Sequence, residues 1–136
     1  MEKTEENVAE ALAYELVDSF NRGNFDKLAR ILDVNLQSYI SNAEGGLDLL
    51  DGRDAFMKNI RELKSEQVKF NVAMTQCVFI SPQRAFFMVE IKAESYGKKL
   101  HNYAAYLLEE RNDLVTRLHM VEAKPASSSW AGRSRR

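Results

Sequence analysis

Five side chains in this sequence have the chemistry to move a proton or to hold a carbonyl. Histidine is the side chain most often used as acid and base in catalysis, and His101 and His119 could form such a pair. Glu122 is a general base if removal from water raises its carboxyl. Asn102 offers a carboxamide to a ligand carbonyl, and Tyr39 offers a phenol. Each also has a plainer reading. Asn102 satisfies itself equally well on a neighbouring side chain or an ordered water, since an unsatisfied buried amide costs about 1–3 kcal/mol. Glu122 reads first as the solvated end of a strand, and the histidines read first as part of a sheet face that meets another protein.

Other chemistries are argued against by counting. Cys77 is the single cysteine and sits in the apolar run MTQCVFI with no basic residue close by, so it reads as a small hydrophobe and not a thiolate nucleophile. One cysteine forbids an intrachain disulfide, and one cysteine with two separated histidines forbids a structural zinc site. No metal and no cofactor is expected. Gly45-Gly46 alone does not make a phosphate loop, and no nucleophile elbow is present. A net charge of -1 gives no drive toward nucleic acid or anionic membrane, and neither is expected as a partner. Arg133, Arg135 and Arg136 read as a solvated tail. The acidic start MEKTEENVAE lacks an apolar signal core and no run is long enough for a membrane span, which places the protein in the cytoplasm.

The elements that must position these residues follow from periodicity. Val8, Leu12, Leu16 and Phe20 recur every four residues, predicting an amphipathic helix over 4–22 that Thr4 caps, with Glu5 and Glu6 in its first turn. Gly23 stops it, and Asn24 caps a short second helix over 25–32. Glu10, Glu15, Asp18 and Asp26 on this hairpin argue against DNA binding. VNLQSYIS, residues 34–41, alternates as a strand; 42–46 is a glycine-bearing flexible loop; Asp54 caps a third helix over 55–65. A long strand over 68–80 follows, then three more: AFFMVEIKAE, LHNYAAYLLEE and LVTRLHMVEA, joined by SYGKK and RND. Lys124-Pro125 ends the last strand. The predicted order is α-α-β-α-β-β-β-β in one domain, residues 1–124, with a tail over 125–136 that carries Trp130.

The segment Phe20-Asn21-Arg22-Gly23-Asn24-Phe25, the Gly52-Arg53-Asp54 at the third helix and the closing strand LVTRLHMV resemble the nuclear-transport-factor-2-like superfamily, which includes ketosteroid isomerases and SnoaL-type cyclases. The resemblance implies an α+β, cystatin-like cone: N-terminal helices packed on a strongly curved antiparallel sheet. Placed on the isomerase pattern, the phenol position falls on Leu16, the base on Ile40 and the oxyanion acid on Ala104, so the three catalytic groups of that mechanism are replaced by apolar residues.

The same resemblance orients the strands. Phe87, Val89, Leu100, Asn102, Ala104, Leu118 and Met120 are expected to face the cone interior, with Glu122 near its rim. Leu16, Phe20, Ser38, Ile40, Phe56 and Ile60 complete a mostly apolar pocket. By alternation His101, Tyr103, Arg117 and His119 fall on the outer face, with Tyr103 opposite His119, and read as a homodimer interface. The expected function is binding of a small hydrophobic molecule. An enzyme using another acid–base set (Asn102, Glu122, Tyr39 or the histidines) and a homo-association domain remain as alternatives.

Overall fold

The apolar stripe of the first helix lands where its spacing puts it. In the computed structural model, which describes residues 8–42, 44–64 and 68–123, α1 (Val8–Arg22) buries Ala9, Leu12, Ala13, Leu16 and Phe20. Gly23 ends it at φ +68°, a left-handed conformation that glycine takes without a Cβ penalty. The Asn24 side chain then accepts the Lys27 N–H at 3.2 Å and caps α2 (Phe25–Arg30). Thr4, Glu5, Glu6, Lys124-Pro125, Trp130 and the tail arginines lie outside the described residues.

β1 (Leu32–Ser41) turns back as β2 (Leu47–Asp51), a strand absent from the sequence reading. The connection is held by one side chain: Asn42 Oδ1 accepts the N–H groups of Glu44 and Gly46, and its amide donates to Asp48 Oδ1 at 2.9 Å. Residues 42 and 44–46 therefore belong to a hydrogen-bonded hairpin turn. LDLLD shows no alternation, because β2 is an edge strand that is exposed except at Leu50. α3 (Arg53–Leu63) begins after Gly52 at φ +100°, whose N–H donates to the Leu36 carbonyl at 2.7 Å. Asp54 lies in its first turn, favourably placed against the helix dipole, and is not its cap.

β3 (Val68–Ser81), β4 (Arg84–Ser95), β5 (Lys98–Arg111) and β6 (Leu114–Glu122) form the predicted meander. The six strands make one curved, unclosed sheet in the order β2-β1-β6-β5-β4-β3. All neighbours are antiparallel except β1 and β6, which run parallel, so the sheet is mixed. The parallel contact forms because the chain leaves β1 through β2 and α3 and reaches β6 from the far side of the sheet. α1 packs across β3 to β6 and α3 against β1 and β2, and the core fills the space between helices and sheet.

The hairpins fix the register. Tyr96-Gly97 and Asn112-Asp113 are two-residue turns with φ values of 52°, 80°, 57° and 66°, the left-handed pairs that match strand twist. A bulge between Glu109 and Glu110 sets His119 opposite Leu107, four residues from the predicted partner Tyr103. The shift is even, so every side chain keeps its predicted face.

Candidate functional site

The helices do not fill the concave side of the sheet. They leave a cavity of ≈ 70 Å³. α1 contributes Leu16, Val17 and Phe20 to its wall, α2 contributes Leu28, and α3 contributes Phe56, Asn59, Ile60 and Leu63. From the sheet come Ser38, Tyr39 and Ile40 on β1, Phe70 and Val72 on β3, and Phe87 and Ile91 on β4. Tyr106 on β5 and Leu118, Met120 and Glu122 on β6 close the ring. The wall is apolar except for Ser38, Asn59, the Tyr106 phenol and the Glu122 carboxyl. Its volume is several times the roughly 10–15 Å³ that admits one water and well below the roughly 300–1,000 Å³ of drug-sized sites.

The predicted pocket residues divide. Leu16, Phe20, Ser38, Ile40, Phe56, Ile60, Phe87, Leu118 and Met120 line the cavity. Val89, Leu100, Asn102 and Ala104 do not border it. Val89 and Ala104 are cross-strand partners, both buried, and Ala104 in turn lies opposite Glu122. Asn102 is 1% exposed opposite Ile91, beyond the cavity end of β5. Leu100 is partly buried and opens onto a surface groove near Lys99 and His101.

Glu122 is not a solvated strand end: it is 5% exposed. Register explains why, since the alanine opposite it leaves room for a larger side chain on the inner face. Its backbone N–H donates to Ser41 Oγ at 3.0 Å, which stitches β6 to β1. Diagonally across the β5–β6 pair sits Tyr106, whose ring stacks on Phe87 with centroids 4.8 Å apart and planes 1° apart. Burial, and then the neighbouring Glu122 charge, push the Tyr106 phenol far above its ordinary range. Tyr106 therefore stays protonated, with an O–H available to donate. Ser38, fully buried, donates to the Leu50 carbonyl at 3.3 Å and keeps its lone pairs for another partner.

Sequence reasoning missed Tyr106 and Asn59, though both carried a signal. Tyr106 follows Ala104 by two on the same strand face. Asn59 follows Phe56 by three on the helix face that also bears Ile60 and Leu63.

The other chemistry-bearing residues lie on the convex face. The His101 ring contacts the Glu90 carboxylate, and Tyr103, 46% exposed, tilts against it. His119 stacks on Tyr39 with centroids 4.6 Å apart and planes 10° apart, which turns the Tyr39 ring away from the cavity although the residue borders it. His119 Nδ1 is closed off from solvent and has no hydrogen-bond partner among the described residues. Arg117 is exposed beside Glu109. Cys77 is half-buried; burial, and then the Glu10 charge, push its thiol up, away from nucleophilic use. No cluster that could hold a metal ion occurs among the described residues, and no described helix is long and apolar enough to cross a membrane.

No family model and no curated protein sequence matches this chain. Its likeness is structural. Bal32a, from a soil-derived mobile gene cassette, superposes with a TM-score of 0.81 at 17% identity, over 95% of this chain and 99% of that one. A limonene-epoxide-hydrolase-like epoxide hydrolase of M. tuberculosis gives 0.74 at 12% identity, over 94% and 93%. A protein of Cytophaga hutchinsonii described as NTF2-like and of unknown function gives 0.62 at 19% identity, over 84% and 88%. Identities this low speak for the backbone and not for the reaction. What they establish, together with the α+β order and the helix-backed curved sheet, is that this chain has the nuclear-transport-factor-2-like fold.

Proposed function

We propose that the chain binds a small, mostly apolar molecule in the cavity between α1, α3 and the concave sheet. The observation that carries this reading is a largely apolar cavity with its few polar groups (Ser38, Asn59, Tyr106 and Glu122) set in the wall. Burial of a compact apolar body there gains about 25 cal/mol per Å² removed from water, and a few polar groups suffice to orient it. The positions that match the isomerase phenol and base, Leu16 and Ile40, lie in the cavity wall and offer no acid–base group, which supports binding over isomerase chemistry. The test is a nuclear magnetic resonance titration with methylcyclopentane. Signals of Leu16, Ile60 and Met120 should shift while those of Leu49 and Val121 stay still. Shifts confined to the outer set would overturn the assignment.

One observation favours a second reading, acid–base chemistry in the same cavity: the buried Glu122 carboxyl and the partly buried Tyr106 phenol border the same space, and the Glu122 charge acts on that phenol. In that role Glu122 takes a proton from a bound substrate and Tyr106 donates to the developing oxyanion.

The convex face supports a homodimer. Cross-strand pairing strings Leu49, Tyr39, His119, Leu107, Phe86 and Val78 into one row across all six strands. Leu49 and Val78 are 48% and 45% exposed, and Val121 beside the row is 55% exposed. Charges of both signs flank the row, Arg117, Glu109 and Arg84 on one side and Glu90 and Lys92 on the other, so a second copy can set opposite charges against each other. Sedimentation of the wild type should give a dimer; a monomer at micromolar concentration contradicts this.

A further inference from the structure

One hydroxyl in the cavity wall is fixed in place and still has its hydrogen to give. Four neutral side chains among the described lining residues carry donor hydrogens: Ser38, Tyr39, Asn59 and Tyr106. Ser38 spends its hydrogen on the Leu50 carbonyl at 3.3 Å. Tyr39 is held against His119 on the other face of the sheet. The Asn59 carboxamide gives and takes hydrogen bonds with equal ease, so it orients a ligand without selecting its class. Tyr106 differs from all three. Its ring lies flat on Phe87, with centroids 4.8 Å apart and planes 1° apart, and the stack fixes the plane in which the hydroxyl must lie. No hydrogen bond engages that hydroxyl among the described residues, and its oxygen is not one of the buried atoms closed off without a partner. Burial keeps the proton on it far beyond neutral pH. A phenol drawn out of water without a partner is costly, and an acceptor oxygen brought in by a ligand relieves that cost.

Resting on the binding reading above, we infer that Tyr106 is the residue that sets ligand specificity, and that the ligand is a compact apolar molecule carrying a neutral acceptor oxygen, a ketone or an ether. The Tyr106 O–H donates to that oxygen, and the apolar body lies against Leu16, Phe56, Phe87 and Leu118. The selection rests on one hydrogen bond at a fixed point, so ligands of one size and shape separate by whether they bring an acceptor to it.

The experiment titrates two probes built on one ring, cyclopentanone and methylcyclopentane, at about pH 7 into the full chain and into Tyr106→Phe, which keeps the aromatic ring and removes only the hydroxyl. The variant should weaken cyclopentanone by about tenfold and change methylcyclopentane by less than about twofold. The infrared carbonyl stretch of bound cyclopentanone should lie at lower frequency in the wild type than in the variant, a signature that altered packing alone does not produce. If the variant does not fold, the wild-type band decides: a frequency equal to that of cyclopentanone in alkane overturns the inference. Methylcyclopentane binding without cyclopentanone binding overturns it too, as does a variant that weakens both probes alike or neither; each of these leaves the binding reading intact. Binding of neither probe by the wild type overturns the binding reading and this inference with it.

Discussion

Phe86 and Phe87 are consecutive residues on β4 and belong to different parts of the molecule. Phe87 has no exposed surface; it stacks on Tyr106 and walls the cavity. Phe86 points the other way, partly exposed, into the transverse row with Leu107 and Val78. The concave face is thus a finished interior with one small space left in it, while the convex face is an apolar surface still open. A single residue step separates the proposed ligand site from the proposed association surface, because strand side chains alternate with a period of two.

The contrast is sharpest under truncation. Phe87→Ala should cost about 3–5 kcal/mol in urea unfolding, the transfer term plus a larger cavity. Phe86→Ala, one position away, should cost only about 1 kcal/mol in the monomer. Equal losses would remove the distinction between the faces. Next in size is His119→Glu. If a second copy covers the convex face, an unpaired charge in its centre should weaken dimerisation by roughly 100-fold, about 3 kcal/mol, visible by sedimentation. A dimer that survives this change must use another surface.

The Tyr106 phenol supplies a pH test of the concave face. In the unfolded chain it ionises near the ordinary phenol value of 10.0, while the folded protein holds the proton well above that. Above pH 10 the unfolded state therefore binds fewer protons than the folded one, and stability falls as pH rises. The contribution is complete below the unfolded value and drains away by up to about 1.4 kcal/mol per pH unit above it. Tyr106→Phe should flatten the alkaline limb of the stability profile. The smallest effect is expected where neither face is involved. Tyr96 takes φ 52° in the β4–β5 turn, so Tyr96→Gly should relieve strain and raise stability by about 0.5–1 kcal/mol, leaving both ligand titration and sedimentation unchanged.

Most of the fold was legible because its signals are local. The four-residue spacing of α1, the Gly23 stop, the Asn24 cap and the strand alternation each arise from a few adjacent residues. β2 was not legible, since an exposed edge strand has no buried face to impose a pattern on LDLLD. Neither was the parallel pairing of β1 with β6, a long-range consequence of the path through β2 and α3. The site was half legible. Side-chain faces survived a four-residue error in the β5–β6 register because the error was even. How far along each strand the cavity extends depends on where the helices sit, and that placed Asn102 and Leu100 beyond its end while bringing in Tyr106 and Asn59. Glu122 is buried through Ala104 opposite, a pairing that a shifted register conceals.

The most direct test of the central claim, that the concave cavity is an apolar ligand site, is a crystal structure under xenon pressure. Xenon enters apolar cavities in preference to hydrated ones. The account predicts an atom enclosed by Leu16, Phe56, Phe87 and Leu118, with the convex face unoccupied. A space filled instead by ordered waters hydrogen-bonded to Ser38, Asn59 and Glu122, with no xenon, would contradict it.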